Sequence, residues 1–228
     1  MTESMRRIIK NSPPNSFTTY SLTPGATFTD IPSIIKDNLK ESLLNEQGWL
    51  CGYCQQVIKQ KSKASIEHHC EQSICNGENN TQDRRLDYTN LLAVCLGNAG
   101  QPDLHCDSKK SQFDVNNGLP IKVSPWSDAH VARITYHTSG LINSTDATHS
   151  KEINLILNLN AKYLKNSRKE KTPACGLSVS EHGYHKNTKG IKIIRQPHTH
   201  CLAALAAHIQ SQSKSVPQPW FVSERTKE

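Results

Sequence analysis

The sequence predicts an α+β protein, a small core stapled by metal-bound cysteines with helices on either side. Three observations carry this. Amphipathic helical periodicity occurs before and after the middle of the chain, at residues 31–46 and 151–168. Between them, residues 49–112 offer only short apolar runs among Cys, His, Asp and Asn, too little to close a core by burial alone. The same stretch carries a CxxC pair, Cys51 and Cys54, and a second pair, Cys95 and Cys106, with ten residues between. The chain divides into an extended N-terminal arm (1–30), a helix plus stapled core (31–115), a mostly helical and basic region (116–210) and a flexible tail (211–228).

Each element has a local reason. Residues 1–30 are rich in Ser, Thr, Pro and Asn, with little apolar content beyond Ile8, Ile9 and Phe17, hence an arm. Asp30 is placed to cap a helix running to Glu46, with Pro32 in the tolerant first turn and Ile35, Leu39 and Leu43 four apart on one face. Gly48 ends it. Further on, Ala132 to Tyr136 reads as a strand followed by turn chemistry at Ser139-Gly140. Lys151 to Arg168 reads as one helix, with Ile153, Ile156, Leu157, Asn160 and Leu164 on a face. Ile191 to Ile194 reads as a strand and His200 to Gln210 as a last helix. There is no internal repeat.

Charge and composition narrow the function classes. The 228 residues carry 27 Lys+Arg against 20 Asp+Glu, a formal +7, and 35% apolar residues. Cys201 to Ala207, the longest apolar run, is far short of the roughly 20 residues a membrane span needs, and no apolar stretch of signal-peptide length follows the first residues. The expectation is a cytoplasmic protein. The charge is uneven: residues 1–150 sum to −1 and residues 151–228 to +8, while residues 49–112 hold seven basic and seven acidic side chains. A basic segment suggests contact with a polyanion, nucleic acid before membrane. Lys165, Arg168 and Lys169 are the candidate nucleic-acid-binding residues there; compensation of a helix dipole is the competing explanation.

In a reducing compartment the eight cysteines are expected to be reduced, which favours metal ligation for those that are regularly spaced. Two thiolates two residues apart can face one ion, and a second pair completes a tetrahedron around Zn²⁺. Cys51, Cys54, Cys95 and Cys106 are the preferred set, with residues 97–102 as an inserted loop. Cys70, Cys75, His69 and His105 are rival ligands. A thioredoxin-like role for the CxxC is disfavoured, because its flanks lack the strand-then-helix context.

Glu67-His68-His69, Asn90-Leu-Leu and Asp107-Ser-Lys-Lys110 lie in order around these cysteines. Together they resemble the HNH nucleases, whose pattern runs CxxC, Asp/Glu-His, Asn-Leu, then Cys followed by His or Asn with a Lys three further on. The resemblance covers residues 49–112. It implies a ββα-metal fold, two strands and a helix clamping one catalytic divalent ion, here buttressed by a structural zinc. On it, His68 matches the general base, and Glu67 and Asp107 match ligands of a catalytic Mg²⁺ or Mn²⁺. Asn90 matches the residue that braces the histidine loop, and Lys110, with Lys109 beside it, matches a cation facing phosphate. Asp107 stands where many relatives have His or Asn, and Glu71 where many have Pro.

The wider pattern, MRRIIKN, CGYC, IEHH, LDYTNLLAVC, HCDSKK and INLILNLNAKYLKNSRK, is similar to the PtuB family, the HNH subunits of Septu and retron-associated anti-phage systems. That resemblance implies a PtuA-like ABC-type ATPase as partner and, in retron versions, a reverse transcriptase with its RNA–DNA product. The target, DNA or an RNA such as tRNA, is left open. A catalytically silent zinc module that binds nucleic acid or scaffolds the ATPase is the alternative from another class. His182, His185, His198 and His200 more often contact phosphate or solvent than a second metal in such a setting, and Cys175 and Cys201 are expected as small buried hydrophobes.

Overall fold

Helix α2 (Ser33–Glu46) presents Leu39, Leu43 and Leu44, all fully buried, to the strand pair that forms the centre of the fold. The computed structural model describes residues 5–78, 82–112 and 121–169. Strands β1 (Ala64–His68) and β2 (Leu91–Cys95) pair antiparallel, with Ala64 opposite Cys95 and His68 opposite Leu91. On its other side β2 is closed by the Gln47 side chain. Its Nε2 donates to the Ala93 carbonyl (2.7 Å) and its Oε1 accepts from the Ala93 N–H (2.8 Å). A short helix α3 (Cys106–Lys110) follows β2. The result is α+β, with both strands short and β2 buried along Leu91–Val94.

Residues 5–30 are not a free arm. Helix α1 (Asn15–Ser21) lies among them, and Met5, Ile8, Phe17 and Phe28 all enter the core. Their irregular spacing has no period, which is why the sequence reads as coil. Backbone and side-chain bonds tie the segment down. Arg6 N–H donates to Gln55 Oε1 (3.0 Å), Ile8 N–H to the Pro125 carbonyl (2.8 Å) and Lys10 Nζ to the Leu91 carbonyl (2.9 Å). Lys10 also pairs with the buried Glu46, which accepts from Tyr88 Oη–H (2.9 Å). Asp30 does not cap α2, whose N-cap is Pro32; its carboxylate accepts from the Thr27 hydroxyl instead (2.6 Å).

The C-terminal part contains a second strand pair, β3 (Ile134–Tyr136) with β4 (Ile142–Ser144), around a turn in which Gly140 has φ 80°. Helices α4 (Asp128–Val131) and α5 (Ala147–Lys151) are each N-capped by a side chain, Ser127 and Asp146. The expected single helix 151–168 is broken. A π-turn (Glu152–Ile156) leads to Asn158 at φ 46°, and helix resumes only over 162–169. Tertiary bonds cause the break: Asn158 Nδ2 donates to the Leu104 carbonyl (2.7 Å), and the Leu157 carbonyl accepts from Cys106 N–H (2.9 Å). Among the described residues no helix is long and apolar enough to cross a membrane. The strand at 191–194, the helix at 200–210, Cys175, Cys201 and the four loop histidines lie outside the described residues, as does the tail.

Arg168 corrects an expectation. It is 1% exposed, its Nη1 donates to the Gly140 carbonyl (2.9 Å) and its Nη2 to the Leu159 carbonyl (2.6 Å). It is thus a buried brace between the β3–β4 turn and the broken helix, not a surface contact for phosphate. Charge counted along a sequence does not register burial. Arg168→Leu leaves two carbonyls without these donors and should cost roughly 2–4 kcal/mol in denaturant unfolding, whereas Lys169→Ala at the exposed neighbouring position should stay within roughly 0.5 kcal/mol.

Candidate active site

The four thiols come from three places in the fold. Cys51 and Cys54 sit on the knuckle after α2, Cys95 ends β2 and Cys106 begins α3. Their sulfurs all lie within 4.8 Å of one another, with Cys51–Cys106 and Cys54–Cys95 each at 3.8 Å. A tetrahedron of thiolates about 2.3 Å from one ion has edges of about 3.8 Å, so the set fits a zinc-sized ion. Burial, then the neighbouring thiols, push Cys106 well above the usual thiol range, while the donating Cys106 and Cys51 thiols pull Cys95 down.

Gly97 makes the second pair possible. At φ 59° it turns the chain after Cys95, and a Cβ there would lie 2.0 Å from the His105 carbonyl, so the position requires glycine. His105, a rival ligand by sequence, stays outside the four sulfurs with its Nδ1 3.2 Å from Cys106 Sγ. The other rivals are also placed elsewhere. Cys70 and Cys75 form a disulfide, contrary to the expectation that all eight cysteines are reduced. Only five residues apart in sequence, they meet because the chain turns at Glu71–Cys75.

Glu67, Lys110, Tyr53 and Asp107 come together around one carboxylate. Glu67 on β1 is 8% exposed; its Oε1 accepts from Lys110 Nζ (2.5 Å) and from Tyr53 Oη–H (3.1 Å). Lys110 Nζ also donates to the His68 carbonyl (2.9 Å) and lies 3.4 Å from Glu71. Burial raises the Glu67 carboxyl to about 7; Lys110 opposes that and the neighbouring Asp107 carboxylate adds to it. Hard carboxylate oxygens crowded to this degree are a donor set that a divalent cation relieves. Lys109 is half-buried next to Lys110, and Lys165 and Lys169 lie on the 162–169 helix, which touches the knuckle where Ser167 Oγ donates to Gln56 Oε1 (3.2 Å).

His68 is held by two contacts. Its Nε2 lies 2.9 Å from the Arg85 carbonyl, and its ring meets Phe28 edge-on at 4.3 Å. A carbonyl only accepts, so Nε2 carries the proton and Nδ1 the free lone pair. Burial lowers the imidazole below the ordinary histidine range, and Lys110 and Lys36 lower it further, so the ring is neutral near pH 7. Asn90, fully buried, ties the end of β1 to the following loop. Its Nδ2 donates to the Cys70 (2.9 Å) and Arg84 (3.1 Å) carbonyls and its Oδ1 accepts from Cys70 N–H (2.8 Å). It braces and does not face the carboxylates.

Sequence reasoning missed Tyr53 and Phe28. Tyr53 sits between two knuckle cysteines, where spacing draws attention to the thiols alone; Phe28 lies in a segment without period.

His69 Nε2–H donates to the Val123 carbonyl (3.0 Å), and its ring packs on Trp126 at 4.8 Å. Burial drops it to about 4. Its neutral form is favoured by folding, so it contributes fully above the ordinary 6.5, and that contribution is lost as pH falls from 6.5 towards 4. The stability advantage over His69→Gln should shrink by about 2 kcal/mol between pH 7.5 and pH 5 in denaturant unfolding, a comparison in which the opposite titration of Glu67 cancels. An advantage independent of pH would show that the imidazole is not held neutral.

No protein-family model matches the chain. Over 96 residues it is 30% identical to the candidate HNH endonuclease of retron Ec83 from Escherichia coli, a match that covers 39% of this chain. The chain spans about 37% of the length of that relative. The likeness is therefore to part of an HNH endonuclease, over part of this chain.

Proposed function

We propose that the chain is a metal-dependent HNH endonuclease that hydrolyses nucleic-acid phosphodiester bonds as the effector of an ATPase-coupled anti-phage complex of the retron or Septu type, with a PtuA-like ATPase as partner. The observation that carries the nuclease reading is the buried Glu67 carboxylate beside Asp107, ordered by Lys110 Nζ, which also bonds the backbone carbonyl of the adjacent His68. The partial similarity to a retron protein supports the setting.

The chemistry follows from the side chains. His68, neutral and with Nε2–H committed to the Arg85 carbonyl, presents Nδ1 to a water and takes its proton as the oxygen attacks phosphorus in line. Cleavage leaves a 5′-phosphate and a 3′-hydroxyl, and no ribose 2′-hydroxyl is needed because water is the nucleophile. Glu67 and Asp107 would hold Mg²⁺ or Mn²⁺, which when bound supplies positive charge to the phosphoryl oxygens. Tyr53 Oη–H and Lys110 Nζ fix the Glu67 carboxylate in place. Cys51, Cys54, Cys95 and Cys106 would hold Zn²⁺, whose contribution is folding energy.

A second reading, a silent zinc-bearing module that binds nucleic acid or scaffolds the ATPase, is favoured by one observation. Lys110 already neutralises Glu67, and it also faces Glu71. His68→Ala separates the two. Assayed on plasmid DNA and on tRNA with Mn²⁺ and the ATPase present, it should lower cleavage by about 10²-fold or more while zinc content and thermal midpoint persist. Cleavage at the unaltered rate would sink the base assignment, and no cleavage by the unaltered chain would favour the silent module. Elemental analysis should find about one tightly held zinc per chain, released on Cys95→Ser with loss of folding. Zinc-free folded protein would overturn the thiolate site.

A further inference from the structure

We infer that Phe28 and Lys36 form a second wall of the His68 site, in which Phe28 fixes the imidazole and Lys36 contacts the substrate phosphate next to the one cleaved. This rests on the nuclease reading above. The two residues belong to elements that the core motif does not include, the N-terminal segment and α2.

The geometry is a stack of three groups. The His68 ring meets Phe28 edge-on with centroids 4.3 Å apart, and Lys36 Nζ lies 5.0 Å from the Phe28 centroid. The aromatic ring therefore has the imidazole on one contact and an ammonium on another. Phe28 is 9% exposed and Lys36 only partly buried, so the ammonium sits at the edge of the site where substrate can reach it.

The charge on Lys36 is uncommitted. Lys10, Lys61, Lys110, Arg84 and Arg85 each have a carboxylate partner. Lys36 has none among the described residues; its ammonium lies over the Phe28 ring. Nor does its position serve the helix. Lys36 is in the first turn of α2, a turn without an acidic residue, and a cation at that end gains nothing from the helix dipole. A lysine seated on an aromatic ring beside the candidate base, with no internal anion, is suited to an anion from outside. A polynucleotide supplies one at every residue along its strand, so engaging a neighbouring phosphate also sets the register of the strand across His68.

Lys110 cannot take this role in the observed arrangement, because its ammonium is buried between Glu67, Glu71 and the His68 carbonyl. The division of labour is then clear: Lys110 holds the carboxylate and Lys36 meets the substrate.

Binding of a fluorescein-labelled DNA duplex and of an RNA hairpin of matching length, measured in the His68→Ala background with Ca²⁺ over a range of salt, tests Lys36 apart from cleavage. Lys36→Gln should weaken binding several-fold and reduce the slope of log K against log salt by about 0.9 on duplex DNA or about 0.7 on single-stranded sites, while Lys36→Arg keeps the slope. The arm that shows the loss identifies the nucleic acid. An unchanged slope on both probes, or no binding to either, overturns the inference; retained cleavage in His68→Ala instead overturns the base assignment and leaves the slope to be read on its own. For Phe28, Phe28→Leu should lower kcat with KM unchanged and Phe28→Tyr should restore it. Equal kcat in all three, with unaltered thermal midpoints, removes Phe28 as a positioning residue.

Discussion

Four sulfur atoms within 4.8 Å of one another hold the knuckle, the end of β2 and the start of α3 to a single point. Much else depends on that constraint. The residues that surround the Glu67 carboxylate are attached to two of these pieces: Tyr53 lies between two of the cysteines, Asp107 follows Cys106 directly, and Lys110 is one helical turn further on. β1 and β2 share only five paired positions, too few to hold the Glu67 carboxylate against Lys110 and Tyr53 without the cluster. Losing the thiol geometry therefore displaces Tyr53, Asp107 and Lys110 relative to Glu67 together.

Buried charge is the second organising feature. Lys110 pairs with Glu67, and Lys10 with Glu46, in settings where either partner alone would be costly. Both pairs carry further bonds. Lys110 adds the His68 carbonyl, and Lys10 adds the Leu91 carbonyl and the Tyr88 ring at 4.2 Å. The two carbonyls belong to residues paired across the strands, so the pairs grip β1 and β2 at the same level. Through Lys10 the N-terminal segment becomes a structural part of the site, and through Phe28 it touches His68. On the far side, Glu152 accepts from Val123 N–H (2.8 Å), and the Val123 carbonyl accepts from His69, so the C-terminal part is joined to the residue that directly follows β1.

What the sequence made legible was whatever its local pattern determines. The α2 stripe was, because Leu39 and Leu43 share a face by spacing alone, and so was the fourfold cysteine set, because CxxC geometry is local and the second pair follows in order. The β3 strand and its Gly140 turn were read nearly in place. The N-terminal segment was not legible, since Met5, Ile8, Phe17 and Phe28 enter the core without any period. The helix expected over 151–168 had the right stripe, yet Asn158 takes its positive φ from bonds to residues about fifty positions earlier. Arg168 was misjudged because adjacent cations look alike in sequence, although one faces two carbonyls and its neighbour faces water. The Cys70–Cys75 disulfide was missed because compartment, not geometry, guided that expectation.

Electrostatics explains why the pieces outside the strand pair matter to any nucleic-acid chemistry. The middle of the chain has as many acidic as basic side chains, and several of its cations are taken up internally: Lys110 by Glu67 and Glu71, Arg84 by Asp87, Arg85 by Asp83. Lys61 is engaged by Asp37 and Glu41 of α2. Thiolates around a zinc would add negative charge to the same region. A polyanion approaching this surface gains little from it, because affinity for nucleic acid grows with the number of phosphates neutralised. The attraction has to come from cations without a carboxylate partner, which among the described residues include Lys36 on α2 and the lysines of 162–169. On the nuclease reading proposed above, holding a polyanion therefore rests more on these cations than on the charge-balanced residues around Glu67.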